Sequence, residues 1–229
     1  MRDPPVTPLV LIAHGSRDGR SSAVVREIAA ELGAHASFID FDEPSPVTLL
    51  TSLDEAVVVP LLLTDAFHSR VDVPRLVAEA RERRPRLRVE VTAPMGGAHL
   101  VPALARTLPP HDAVVLAAAG SRDPRSLAHV GDMARRLAAH TGAMGSPAYA
   151  AAAEPDVATA IAGLRSRGAR RVAVASYFIA PGLLYERVRA DAVAAGAWVT
   201  PPLGACPELL AAVRWRYERA VAGPVPVAA

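Results

Sequence analysis

The pattern of this chain runs once and then starts again. A short apolar run at residues 9–13 ends in Ile12-Ala13-His14-Gly15-Ser16-Arg17, and another at 113–118 ends in Ala117-Ala118-Ala119-Gly120-Ser121-Arg122. Val57-Val58-Val59 returns as Val172-Ala173-Val174, and Pro94-Met95-Gly96 returns as Pro202-Leu203-Gly204. Three anchors in one order mark an internal duplication. The boundary falls at Pro109-Pro110, which gives an N-terminal repeat over 1–109 and a C-terminal repeat over 110–229.

Within each repeat, strand and helix patterns alternate. The first predicts strands at 9–13, 37–41, 56–63 and 88–92, with helices at 21–32, at 73–84 and at 99–108, and a short helix ending at Leu53 after the break at Pro44-Ser45-Pro46. Val24, Val25, Ile28, Ala29 and Leu32 form one face of the first helix, and Pro74 suits the opening of the third. Residues 64–72 read as a loop. The second repeat predicts strands at 113–118, 146–152, 171–178 and 197–200, with helices at 123–140, 155–167, 181–195 and 207–221. Residues 56–63 are continuously apolar, as in a strand covered on both faces. The fold class is therefore α/β, two parallel doubly wound sheets related by duplication.

Composition narrows the function. No apolar run approaches the roughly 18 residues of a membrane span. The chain passes from Met1-Arg2-Asp3-Pro4-Pro5 into a short strand without a cleavage site, which predicts a cytoplasmic protein. Cys206 is the single cysteine, so there is neither an internal disulfide nor a thiolate cluster. All 25 cationic side chains are arginine, the formal net charge is +2, and aromatic residues make up 4%. The arginine-dense stretch 81–88 reads as a solvated helix end, not a nucleic-acid surface. GxGxxG and P-loop patterns are both missing, which argues against a nucleotide, and no organic cofactor is expected.

Ligands of such sheets sit beyond the carboxyl ends of the strands. There the first repeat places His14 after its first strand, Asp40 near the end of its second, and Thr64, Asp65 and His68 after its third. Two imidazoles and a carboxylate suit Fe²⁺, Co²⁺ or Ni²⁺, and would serve equally as proton acceptors. A lone histidine at a strand end is more often structural, and Gly15-Ser16 could be plain turn chemistry or an anion cradle. The second repeat argues for function: it has Ala119 where the first has His14, and about Leu183 where the first has His68. His35, His111, His129 and His140 read as solvated, and His99 as a weak participant.

These residues resemble the sirohydrochlorin chelatases of the class II chelatase group. His14-Gly15-Ser16-Arg17 looks like the family's HGSR segment. Phe38-Ile39-Asp40 with Glu43-Pro44-Ser45 looks like its FLE…EPS segment. Pro60 to Thr64, His68 and Asp72-Val73-Pro74 look like its PLFL…H…DIP segment. The resemblance spans the chain, since long members are two-domain duplications. It implies two tandem flavodoxin-like, chelatase-like domains, a covalent version of the homodimer formed by short members, and hence a monomer with an internal pseudo-dimer.

The resemblance also implies roles. His14 and His68 would bind the metal and abstract protons. Asp40 stands where many relatives have glutamate, one methylene longer, and Val71 where some have a further histidine. Ala180-Pro181-Gly182-Leu183 looks like the degenerate copy, closing the cleft on the tetrapyrrole. The implied reaction is insertion of a divalent metal, Fe²⁺ or Co²⁺, into sirohydrochlorin, with the ion as a substrate. Ser16, Arg17, Arg20, Thr64, Arg70 and Arg122 are candidate contacts for the substrate's carboxylates. Nucleic acid and membrane are not expected partners. Iron insertion for sirohaem is preferred over cobalt insertion for cobalamin. A non-catalytic tetrapyrrole or metal carrier and a phosphate-binding enzyme are the rivals.

Overall fold

The computed structural model describes residues 7–64 and 70–223, with the backbone alone at 68 and 69. It contains two four-stranded sheets, ordered β2-β1-β3-β4 and β6-β5-β7-β8, and every neighbouring pair is parallel. This is the order of a flavodoxin-like sheet without its fifth strand. Among the described residues no helix is long and apolar enough to cross a membrane.

The first sheet comprises β1 (Leu9–Ala13), β2 (His35–Phe38), β3 (Glu55–Pro60) and β4 (Arg88–Val91). All five residues of β1 are buried, and β3 is buried from Ala56 onward, as continuous apolar runs require. Helices α1 (Gly19–Leu32), α2 (Pro46–Thr51) and α3 (Val73–Arg83) connect the strands. Asp18 caps α1 at its start and Gly33, at φ 61°, ends it in the left-handed region that glycine adopts without penalty. The core packs Val10, Ile12 and Val58 against Leu50, Val73, Val77 and Ala80.

The second sheet comprises β5 (Ala113–Ala118), β6 (Met144–Tyr149), β7 (Val172–Ser176) and β8 (Trp198–Val199). Its connecting helices are α5 (Pro124–Thr141), α6 (Val157–Ser166) and α7 (Leu183–Ala194). Asp123 and Gly142 cap α5 as Asp18 and Gly33 cap α1. The second core centres on Val115, Ala117, Ile161, Leu164, Val174 and Val188.

Sequence repeat and compact unit divide the chain differently. Among the described residues one unit comprises 7–62, 68–95 and 209–223, and the other comprises 63–64 and 96–208. Helix α4 (Val101–Arg106) closes the first repeat in sequence but buries Val101, Ala103 and Leu104 in the second unit, against α5. Helix α8 (Pro207–Ala222) closes the second repeat, and most of it belongs to the first unit. There Tyr217 donates to the Thr7 carbonyl at 2.7 Å, Arg216 to Pro94 at 2.9 Å and Arg214 to Glu31 at 3.2 Å. Leu209 and Val213 are fully buried, and each burial stabilises by about 1.5–3 kcal/mol.

Several expected bounds shift by one to three residues, and four expectations change in a way that bears on the site or the repeat. Strand β2 covers His35–Phe38 instead of 37–41: it starts two residues earlier, and past Ile39 and Asp40 the chain turns at Phe41, whose φ is 67°. Asp40 therefore lies on the connection past the strand. The stretch read as a loop to residue 72 ends in one π-helical turn, His68–Asp72. The helix expected over 99–108 is a 3₁₀ turn, Ala98–Leu100, followed by six residues of α4 with Pro102 in its first turn. Finally, His68 has no one-to-one counterpart at Leu183. Residues 61–72 separate β3 from α3, whereas 177–182 separate β7 from α7.

Candidate functional site

The candidate site in the first unit is built on the exit of β1. Pairing continues past the strands: Ile39 N–H donates to the Ala13 carbonyl and Asp40 N–H to the His14 carbonyl, both at 2.9 Å, while Leu61 N–H donates to Ile12 at 2.8 Å. These bonds set the 39–40 connection beside His14 at the point where the order of strands reverses. Gly15 sits at φ 89°, and a Cβ there would lie 1.8 Å from the Asp40 carbonyl oxygen. Only glycine allows this approach.

His14 Nδ1 lies 3.9 Å from Asp40 Oδ2, beyond hydrogen-bond length. Both side chains are partly open to solvent, so the pair sits in high dielectric and adds little to stability. Phe41 follows at φ 67° and is 59% exposed, with its ring centroid 6.4 Å from that of His14. The Arg17 guanidinium stands 5.4 Å from the Phe41 ring centroid.

The other candidates separate by what they already hold. Ser16 N–H donates to Asp42 Oδ2 at 3.3 Å, and Ser16 Oγ accepts from Asp18 N–H at 3.1 Å, so this residue closes the turn before α1. Ser121 makes the same turn contact with Asp123 at 3.0 Å. Arg20 grips Asp18 through Nε and Nη2, the shortest contact being 2.6 Å, and this ion pair holds the Asp18 carboxyl below its usual range. Arg17 and Arg122 are exposed and form no ion pair among the described residues. Arg70 lies exposed on the π-helical turn. Thr64 is half-buried and belongs to the second unit, as does Arg122. Asp65 and the side chain of His68 lie outside the described residues. Among those described, no three His, Cys, Asp or Glu side chains gather closely enough to hold an ion.

The second unit repeats this backbone without its chemistry. Ala150 and Ala151 N–H groups donate to Ala118 and Ala119 at 2.9 and 3.1 Å, as Ile39 and Asp40 do in the first. Gly120 at φ 94° meets the Ala151 carbonyl oxygen at the same 1.8 Å, and Ala152 holds the left-handed φ of Phe41, at 61°. Alanine thus replaces His14, Asp40 and Phe41.

Two histidines read as solvated are not. His129 is half-buried on α5, and its Nε2 lies 3.0 Å from Tyr177 Oη, which donates to the Leu63 carbonyl at 3.2 Å. Burial pulls the His129 pKa down, against the nearby Asp132 charge and a hydrogen bond to Leu63, and pushes the Tyr177 phenol up. A Cβ on Gly96 would lie 1.8 Å from the Leu63 oxygen and 2.8 Å from His129 Nε2, so the network fixes Leu63, the residue before Thr64. Helical spacing carried the signal, since His129 follows buried Ser126 by three positions and precedes buried Met133 by four. His111 is part-buried, with Nδ1 2.7 Å from the Pro109 carbonyl. Phe41 had no such signal.

The sequence profile of the CbiX family matches residues 8–108 and again residues 113–220. A protein named sirohydrochlorin cobaltochelatase from Priestia megaterium is 22% identical over 203 residues, 79% of this chain, and the match spans 66% of that protein's length. The structure of SirB from Bacillus subtilis with Fe³⁺ superposes with a TM-score of 0.77 at 21% identity, covering 93% of this chain and 94% of that one. The sirohydrochlorin chelatase SirB from Bacillus subtilis subspecies spizizenii, in complex with cobalt, superposes equally well at 20% identity and the same coverage. The likeness to these structures is one of fold, but the profile matches both repeats nearly end to end, and the chain belongs to the CbiX family, that of the sirohydrochlorin chelatases.

Proposed function

We propose that this protein inserts a divalent metal into sirohydrochlorin, with Fe²⁺ as the ion and Co²⁺ as the alternative. One observation carries the reading. The same backbone is built twice, and His14 and Asp40 are present once, with Ala119 and Ala151 in the other copy. The turn folds without them, so their reason lies in chemistry.

In this reading His14 and His68 hold the ion and take the protons that the pyrrole nitrogens release on metallation. Neutral imidazoles bind borderline ions weakly enough to let go. Asp40 offsets the charge of the incoming ion beside His14. Arg17 and Arg122, which form no ion pair among the described residues, receive the carboxylates of the substrate. Related proteins described with iron and with cobalt support both ions, and the natural order of affinity ranks cobalt above iron, so supply decides between them. The two repeats in one chain support a monomer.

The test is anaerobic metal insertion followed by absorbance, with Fe²⁺, Co²⁺ and Ni²⁺ supplied separately to wild type, His14→Ala and His68→Ala. Acceleration by wild type alone is expected. Equal rates with and without protein, despite tight tetrapyrrole binding, would replace the enzyme by a carrier.

A further inference from the structure

Phe41 is placed at two disadvantages. The residue is 59% exposed beside the site, and its backbone adopts φ 67°, a region where bulky L-residues are rare. The turn itself is imposed by the fold, because Ala152 adopts φ 61° at the matching position of the second unit. The ring is not imposed, because the second unit folds with a methyl group there. Nor does Phe41 join the hydrophobic core of its own unit.

The ring's neighbours suggest what it is for. It stands edge-on to His14 at 6.4 Å and 61°, and the Arg17 guanidinium lies 5.4 Å from its centroid. A guanidinium over a ring keeps its planar fork open to a carboxylate, and Arg17 has no ion pair among the described residues. An apolar face and an uncommitted cation beside an imidazole match a flat macrocycle rimmed with carboxylates. Resting on the chelatase reading, we infer that Phe41 and Arg17 together form a contact for the tetrapyrrole, which seats one carboxylate-bearing edge of the macrocycle next to His14.

The test is titration of the protein with sirohydrochlorin in the absence of metal, beside insertion kinetics, for Phe41→Gly, Phe41→Ala, Phe41→Trp and Arg17→Ala. Glycine suits the left-handed φ, so Phe41→Gly should keep or raise Tm while weakening tetrapyrrole binding roughly ten- to a hundredfold. KM should rise with it and kcat at saturation should change little. Phe41→Trp should bind within a few-fold of wild type, and Arg17→Ala should weaken binding and flatten its dependence on salt. Unchanged binding in Phe41→Gly would overturn the inference. So would a drop in Tm that accompanies weaker binding in both small variants, since the ring would then belong to the fold. A wild type that binds without accelerating insertion removes the enzyme reading alone, and the titration still decides the inference. A wild type that binds no tetrapyrrole overturns both.

Discussion

The α-carbon of Gly15 is held so close to the backbone of Asp40 that a Cβ would stand 1.8 Å from the Asp40 carbonyl oxygen. The contact ties the exit of β1 to the exit of β2 and fixes where His14 and Asp40 project. Gly15→Ala must move this backbone and also strain φ 89°. We expect a loss above about 2 kcal/mol, seen as a lower Tm, and at least a tenfold fall in insertion rate for the molecules that still fold. Gly120→Ala meets the same obstacle at Ala151 and should lower stability comparably, while sparing the rate per folded molecule.

The 3.9 Å gap between His14 and Asp40 can be closed from the carboxylate side. Asp40→Glu adds one methylene and brings the carboxylate within hydrogen-bond reach of the imidazole. Insertion should quicken by about two- to fivefold, in the range of one modest hydrogen bond. Asp40→Asn should slow it. Initial rates across pH 6–8 check both, and an Asp40→Asn variant as fast as wild type would remove Asp40 from the chemistry.

The arginines should divide by their present commitments. Arg20→Ala frees Asp18 but takes no open fork from the substrate, so KM for sirohydrochlorin should stay within about twofold. Arg17→Ala and Arg122→Ala each remove a guanidinium that has no ion pair among the described residues and should raise KM by about tenfold, the scale of one charge-assisted contact. An equal response from all three would mean that the Arg20–Asp18 pair opens when substrate binds.

His129 predicts a pH dependence of stability. Burial lowers its folded pKa below the ordinary value near 6.5, so the folded form resists protonation while the unfolded chain accepts it. The unfolded state therefore binds more protons between the two values, and stability falls as pH drops through about 6.5 toward the folded pKa. Asp18, Asp112, Asp132 and Asp156 have lowered pKa values and lose their contributions at more acidic pH, outside this window. Urea midpoints between pH 7.5 and 5 should decline more steeply for wild type than for His129→Gln. Parallel declines would show that His129 is not the group responsible.

Periodicity and residue type determined a good deal by themselves. Apolar runs fixed β1 and β5 to the residue, because a strand buried on both faces must be apolar throughout. Apolar periodicity placed the end of α1 at Leu32, while its start at Gly19, two residues ahead of expectation, is set by the Asp18 cap. The repeated anchors revealed the duplication, and the strand-end rule directed attention to His14 and Asp40. Tertiary structure decided the rest. The exchange of α4 and α8 between units depends on which apolar face each helix buries, and adjacent sequence does not record that choice. The distance from His14 to Asp40 depends on hydrogen bonds between connections some 25 residues apart. Whether an arginine is open or engaged depends on which acid the turn brings to it, as Arg20 and Arg17 show three positions apart. Phe41 looked like any apolar residue in the sequence, and its exposure beside His14 is visible only in the fold.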